Sequence, residues 1–292
     1  MGASRRRYDD ASMHFGLFLP PFDELSEADA VVEVAVAAEA AGWDGLFLWD
    51  HMLAGGSRPV ADAWITMAAV ASETTRIRLG PMVTPLARRR PWVLARQIAT
   101  LDRLSRGRLV MGVGLGDDGW KEFSTFGDEA DPVVRGEILD EALGVLQHLL
   151  SGAPLVHQGP HFRIDSEGLR PTPLQLPVPI WVGGRWPKRR PLRRAASVQG
   201  FFPIFNATAP WPGPDPATLA MIRADLAAAG AASDFDLIVT WDLATASPPH
   251  LRQRLAQFEE AGVTWVLHGT ALGATKADVL QRVVRRGPPP QP

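Results

Sequence analysis

The sequence predicts an α/β fold, a single (β/α)8 TIM barrel with an insertion after the fourth βα unit. Three observations predict it. Eight short apolar runs alternate with helical patterns along a chain of 292 residues. Most repeats span roughly 20 to 37 residues, as βα units do, and barrels of this kind take about 250 residues. Only one polar interval, 154–179, breaks the alternation, which favours a barrel over an open doubly wound sheet.

The elements follow in order. Residues 14–19 form an apolar first strand that stops at Pro20-Pro21. In 28–41, Val31, Val34, Ala35, Ala38 and Ala41 share one helical face. Gly42 ends that helix, and 46–49 has the length of a buried parallel strand. A helix over 61–73 has Asp62 near its start, and 77–83 is the third strand. Pro91 opens a helix that runs to Leu104 and stops at Gly107. Residues 109–113 make the fourth strand and 134–150 a long amphipathic helix. Within the insertion, two alternating runs flank Gln158-Gly159-Pro160 as in a hairpin. Strands over 180–182, 201–202, 236–241 and 263–267 then alternate with helices over 188–197, 216–229, 249–261 and 276–284.

Composition narrows the function classes. Hydrophobic residues make up 46% of the chain and the formal net charge is −2, so bulk charge gives no reason to expect nucleic acid or an acidic membrane surface. The absence of cysteine excludes disulfides, a Cys nucleophile, iron–sulfur clusters and thiolate zinc sites. His157 and His161 are four apart, but Gly159-Pro160 forbids the helix that would align them, so no metal site is expected. No signal-peptide core or membrane-length apolar run is present, and a cytoplasmic protein is expected. The expected organisation is an N-terminal tail over 1–12, the barrel over 13–286 and a flexible tail over 287–292.

In a barrel the C-terminal strand ends meet at one mouth. The pattern delivers Asp50 and His51, Thr84 and Pro85, Gly114, Gly116 and Asp117, Gly183, Gly184 and Arg185, Asn206, Asp242, and His268 to that rim. Plainer readings stand beside the functional ones. Asp50-His51 also reads as a turn cap, Asp242 and His268 as rim residues, and Gly183-Gly184 as a tight turn. Arg185, Lys188, Arg189 and Arg190 follow that turn near a helix start, as in an anion site or an ordinary solvated basic face. Gly114-Leu-Gly-Asp-Asp-Gly119 matches G-x-G-x-x-G, but it follows the fourth strand and not the first. It therefore reads as small residues that admit a flat ligand rather than as a dinucleotide fingerprint.

Four segments carry a resemblance to a known family. They are Ala41-Gly-Trp-Asp-Gly-Leu-Phe-Leu-Trp-Asp-His51, Thr75-Arg-Ile-Arg-Leu-Gly-Pro-Met-Val-Thr-Pro-Leu86 with Arg90-Pro91, Gly107-Arg-Leu-Val-Met-Gly-Val-Gly-Leu-Gly116 with Glu122-Phe123 and Phe126-Gly127, and Pro179-Ile-Trp-Val-Gly-Gly184. In order and spacing the chain resembles the bacterial-luciferase-like superfamily of flavin- and F420-dependent oxidoreductases, whose fold is a (β/α)8 barrel. The resemblance implies a reduced cofactor across the mouth, F420 in preference to FMN, and a small-molecule substrate.

On that resemblance, Asp50, His51 and Asp117 are the catalytic candidates. His51 relays a proton, Asp50 orients its imidazole or stabilises its cation, and Asp117 is a second polar contact to substrate or cofactor. Pro81, Met82, Val83, Thr84, Gly114, Gly116, Gly183, Gly184 and Arg185 are the cofactor-binding candidates. A cis non-prolyl peptide is expected within Pro81-Met82-Val83, and a phosphate-side loop at Gly183-Gly184. Two departures stand out. Leu115 occupies the place of the luciferase-type arginine, and Gln199 stands where relatives often carry Asp, leaving contacts after the sixth strand open. A two-component FMNH2 monooxygenase fed by a separate reductase is the alternative, and a non-redox barrel the third. The resemblance also implies a homodimer.

Overall fold

The computed structural model describes residues 13–205 and 213–291. Its elements are β1 (His14–Leu19), α1 (Ala28–Ala40), β2 (Gly45–Leu48), α2 (Ala63–Glu73), β3 (Arg78–Pro81), β4 (Thr84–Pro85), α3 (Pro91–Leu104), β5 (Met111–Gly114) and α4 (Pro132–Ser151). They continue with β6 (Leu155–Gln158), β7 (Arg163–Ser166), β8 (Ile180–Arg185), α5 (Arg189–Ala195), β9 (Gly200–Ile204), α6 (Pro216–Ala228), β10 (Asp236–Trp241), α7 (Pro248–Glu260), β11 (Trp265–Gly269) and α8 (Lys276–Arg282).

The main sheet has the order β3-β2-β1-β11-β10-β9-β8-β5-β4, and its pairings are parallel. A parallel bridge between Leu79 and Leu109 joins its two ends, so the sheet closes into a barrel. β3 and β4 are the two halves of the third barrel strand. The strand breaks at a cis Met82-Val83 peptide, inside the segment where the resemblance placed one. β6 and β7 form an antiparallel hairpin outside the barrel, in the expected insertion.

Local chemistry sets the helix starts. Asp62 accepts from the amides of Trp64 and Ile65, and Asp131 and Asp215 cap helices whose first residue is Pro132 or Pro216. Glu141 on α4 fixes the hairpin, accepting from the amides of His161 and Phe162 and meeting His157 Nε2 at 2.8 Å.

Strand alternation divides the core into two layers. Phe18, Phe47, Met82, Val110, Trp181, Phe202, Ile238, Trp265 and Leu267 fill the barrel interior. Leu17, Leu48, Leu79, Val113, Val182, Phe201 and Val266 face the helices. The interior is crowded with rings, Trp181 lying 5.3 Å from Phe47 and 5.4 Å from Trp265 between centroids. Burial of each such ring contributes roughly 1.5–3 kcal/mol. The large rings need small neighbours: a Cβ on Gly200 would lie 2.2 Å from Trp181 Cδ1.

Three expectations need correction or limits. Residues 287–292 were expected to trail free, yet the Gln291 side chain bonds both the amide and the carbonyl of Met13, beside β1. Gln199 precedes β9 and accepts from the Ile180 amide, so it sits at the foot of the barrel and has no bearing on contacts at the mouth. Residues 1–12 and Asn206 lie outside the described residues. Among the described residues, no helix is long and apolar enough to cross a membrane, and no group of three or more His, Cys, Asp or Glu could hold a metal ion.

Candidate active site

Asp50 and His51 follow β2, and alternation sends their side chains to opposite sides. Asp50 turns outward into the helix layer and is buried. Its Oδ2 accepts from Thr84 Oγ1 at 2.6 Å, Trp64 Nε1 at 3.2 Å and Arg89 at 2.9 Å. Arg88 donates to its Oδ1 and its backbone carbonyl. No contact with the His51 imidazole is among these, so Asp50 is not the group that orients it.

That group is Glu122. His51 Nδ1 lies 2.7 Å from Glu122 Oε2. The Glu122 side chain is only 2% exposed, against 25% for His51. Glu122 Oε1 accepts from the amides of Met52 at 2.5 Å and Leu53 at 3.2 Å, and from Arg88 at 3.4 Å. Burial alone would raise the Glu122 pKa. The His51 bond, the charge on His51 and the two amides outweigh burial and hold the carboxyl below its ordinary value. Glu122 is therefore ionised near neutrality and can only accept, so Nδ1 of His51 carries the proton in this pair.

Three rings surround the imidazole. Trp120 is 4.9 Å away between centroids, and Phe22 and Trp49 are each 5.8 Å away. Trp49 also packs against Phe18, so the His51 surroundings run into the top of the interior core. Arg88 joins the two halves of the cluster by reaching both Asp50 and Glu122, and its side chain is 7% exposed.

The remaining candidates fall in two places. Val83 packs against the interior core, and the glycines beside it make its room. A Cβ on Gly114 would lie 2.5 Å from Val83 Cγ2, and one on Gly183 would lie 2.7 Å from Val83 Cγ1. Pro81 and Met82 lead into that residue, and Thr84 beyond it is buried against Asp50. Gly184 faces outward, where a Cβ would lie 2.2 Å from Pro191 Cβ, and Gly116 has φ +73 with Phe123 against it. Contacts within the chain thus account for all four glycines.

Asp117 and Arg185 pair with each other at 2.6 Å on the rim, both side chains more than half exposed, and neither reaches His51. Arg189 pairs with Asp225 and Arg190 with Asp140, so three of the four basic residues after Gly184 already have carboxylate partners. His268 faces outward from β11 and is buried. Its Nδ1 accepts from the Leu243 amide, and burial, opposed by Asp242, lowers its pKa to about 4. It is a structural neutral histidine and not a mouth residue.

Sequence reasoning singled out neither Glu122 nor Arg88 as a site residue. Glu122 was visible only as part of the Glu122-Phe123 segment of the resemblance.

Comparison with known proteins gives a consistent picture. The luciferase-like monooxygenase family model matches residues 13–282. An F420-dependent glucose-6-phosphate dehydrogenase of Nakamurella multipartita is 32% identical over 170 residues, covering 54% of this chain and 47% of that protein. One of Mycobacterium tuberculosis is 35% identical over 162 residues, covering 53% and 47%. The chain thus spans about half the length of the curated relatives it matches. Among solved structures, the coenzyme F420-dependent tetrahydromethanopterin reductase of Methanopyrus kandleri has a TM-score of 0.71 at 18% identity, covering 95% of this chain and all of that one. A long-chain alkane monooxygenase gives 0.73 at 16% identity, covering 95% and 91%. At these identities the two structures speak for the barrel fold alone.

Proposed function

The chain belongs to the luciferase-like monooxygenase family, and from that premise we propose that it is an oxidoreductase that uses F420 in preference to FMN and moves a hydride to or from a small organic substrate. The observation that carries the proposal is the buried Glu122 bonded to Nδ1 of His51. With the proton fixed on Nδ1, the Nε2 of a neutral imidazole is a lone pair, and no described residue bonds it. His51 can therefore take a proton from a substrate hydroxyl, and Glu122 stabilises the imidazolium that results. In the reverse direction the same imidazolium returns the proton to a carbonyl oxygen.

The residues present fit a planar cofactor. Val83, Trp49, Phe18 and Phe202 offer an apolar ledge at the top of a filled barrel, and Lys188, just beyond the end of β8, is the basic residue there for an anionic portion, Arg185 being paired with Asp117. A bound deazaflavin or flavin supplies the hydride chemistry; the chain orients the proton relay and excludes water with Phe22, Trp49 and Trp120. The dehydrogenase relatives favour F420. The same aromatic shell would serve a two-component FMNH2 monooxygenase supplied by a separate reductase. Titration of the purified protein with F420 and with FMN, side by side, tests the proposal. Tighter binding of F420 is the expected result, and binding of neither cofactor refutes it.

A further inference from the structure

Strand alternation keeps Trp265 and Leu267 of β11 in the barrel interior and turns Val266, His268 and Thr270 outward, away from the mouth. On that outer side, between the ends of β10 and β11 and the helix α8, lies a cavity of about 360 Å³. Asp242, His268, Thr270, Leu272, Val279 and Val283 line it. No residue of the cluster around His51 does. Its volume lies within the ordinary range of small-molecule pockets.

The polar groups of this cavity are incompletely used. Nδ1 of His268 accepts from the Leu243 amide, and the ring is neutral at pH 7, so its one proton sits on Nε2. His268 is 4% exposed, and no described residue accepts from Nε2. Thr270, on the same outward face, is also buried, and its hydroxyl has no partner. Buried donors are rarely left without acceptors in a fold that has no use for them. Asp242 supplies an acceptor beside the imidazole. Its Oδ1 takes the Ala244 amide and lies 3.8 Å from His268 Nδ1, and no described residue donates to its other oxygen. The rest of the wall is apolar, with Leu272, Ala274, Val279 and Val283.

Charge restricts the occupant. An anion would meet the carboxylates of Asp242 and Asp278, and Arg282, the one basic side chain at the cavity, is already paired with Asp278. A cation would meet the positive end of the His268 N–H and give up hydration for a single carboxylate.

We propose that this cavity is a second ligand site, separate from the His51 site, and that it takes a small neutral carboxamide or lactam. The carbonyl oxygen accepts from Nε2 of His268, the amide N–H donates to Asp242, and the hydrocarbon part rests on Val279 and Val283. Binding there does not depend on the oxidoreductase reading above.

Calorimetry on the full chain at pH 7 tests this with benzamide and valerolactam as probes, against benzoate and benzylammonium as charged analogues of the first. Two variants report on the place of binding. His268→Asn keeps an acceptor for the Leu243 amide and removes the Nε2 donor, and Ala274→Leu takes up space in the cavity. The expected result is that benzamide binds about tenfold or more tighter than either charged analogue. Each variant should weaken it by about fivefold or more at a near-parental melting temperature. If His268→Asn does not fold, Ala274→Leu decides alone. Failure of both neutral probes to bind overturns the proposal, as does equal binding of benzoate or benzylammonium. Parental affinity in the folded variants puts the probe elsewhere and overturns it too.

Discussion

Replacing Glu122 by Gln keeps the shape of the side chain and removes its charge. The consequence follows from which atoms need an acceptor. Oε1 receives three donors, the amides of Met52 and Leu53 and the Arg88 guanidinium, whereas Oε2 receives only His51. The amide oxygen of Gln therefore stays with the three donors, and its NH2 faces His51 Nδ1. Nδ1 must then accept, which moves the imidazole proton to Nε2 and removes the lone pair that takes the substrate proton. A lost general base costs about 10²- to 10⁴-fold in turnover. Steady-state turnover of the cofactor-loaded protein across pH measures this, with thermal unfolding as the control for folding. The bonds at Oε1 survive, so the melting temperature should move little. Turnover within threefold of the parent protein, with an unchanged pH profile, would refute the orienting role of Glu122.

Four further outcomes are expected. His51→Ala lowers turnover by about 10²-fold or more with near-parental unfolding, since the imidazole is part-exposed. Asp50→Ala acts on stability first: it leaves the Arg89 guanidinium without this carboxylate in the helix layer, strips Arg88 of one of its two carboxylate partners, and costs about 3–5 kcal/mol in urea unfolding. Gly183→Ala drives a Cβ against Val83 Cγ1 and weakens F420 binding, whereas the double variant with Val83→Ala restores room; equal losses in single and double variants would contradict the contact. His268 is protonated more readily unfolded than folded, so it destabilises the fold as pH falls from about 6.5 toward about 4, by on the order of 3 kcal/mol in full. Urea unfolding at pH 7 and pH 4.5 should show that loss in the parent protein and much less of it in His268→Gln.

The barrel was legible because its evidence is repetitive. Each βα unit restates the same alternation, and residues such as Asp62 and Pro91 mark helix starts within a few positions. The site was less legible because contacts between distant loops decide it. Glu122 lies 71 residues from His51, in a segment without periodicity. Nothing local distinguishes it from Glu129 or the other acids of that loop. Arg88 and Arg89 take their meaning from Asp50, a partner 38 and 39 residues away in sequence. That Asp50 does not touch the His51 imidazole was foreseeable. Strand alternation carries Trp49 and His51 on one face and Asp50 on the other, so adjacent residues at a strand end cannot both address the mouth. Gln199 shows a related limit, since its meaning depends on whether it precedes or follows its strand.

Arg88 has a consequence in time as well as in space. It ties the carboxylate that follows β2 to the carboxylate in the loop after β5, from a position of its own after β4. The amides of Met52 and Leu53 close the same circuit through Glu122. Loop amides ordinarily exchange with solvent through small, frequent openings. These two can open only when a buried ion cluster spanning three loops comes apart, so their exchange with deuterium should be as slow as that of amides in the strands beside them. The neighbouring loop residues Gly55 and Gly56 lie beyond the circuit and should exchange freely.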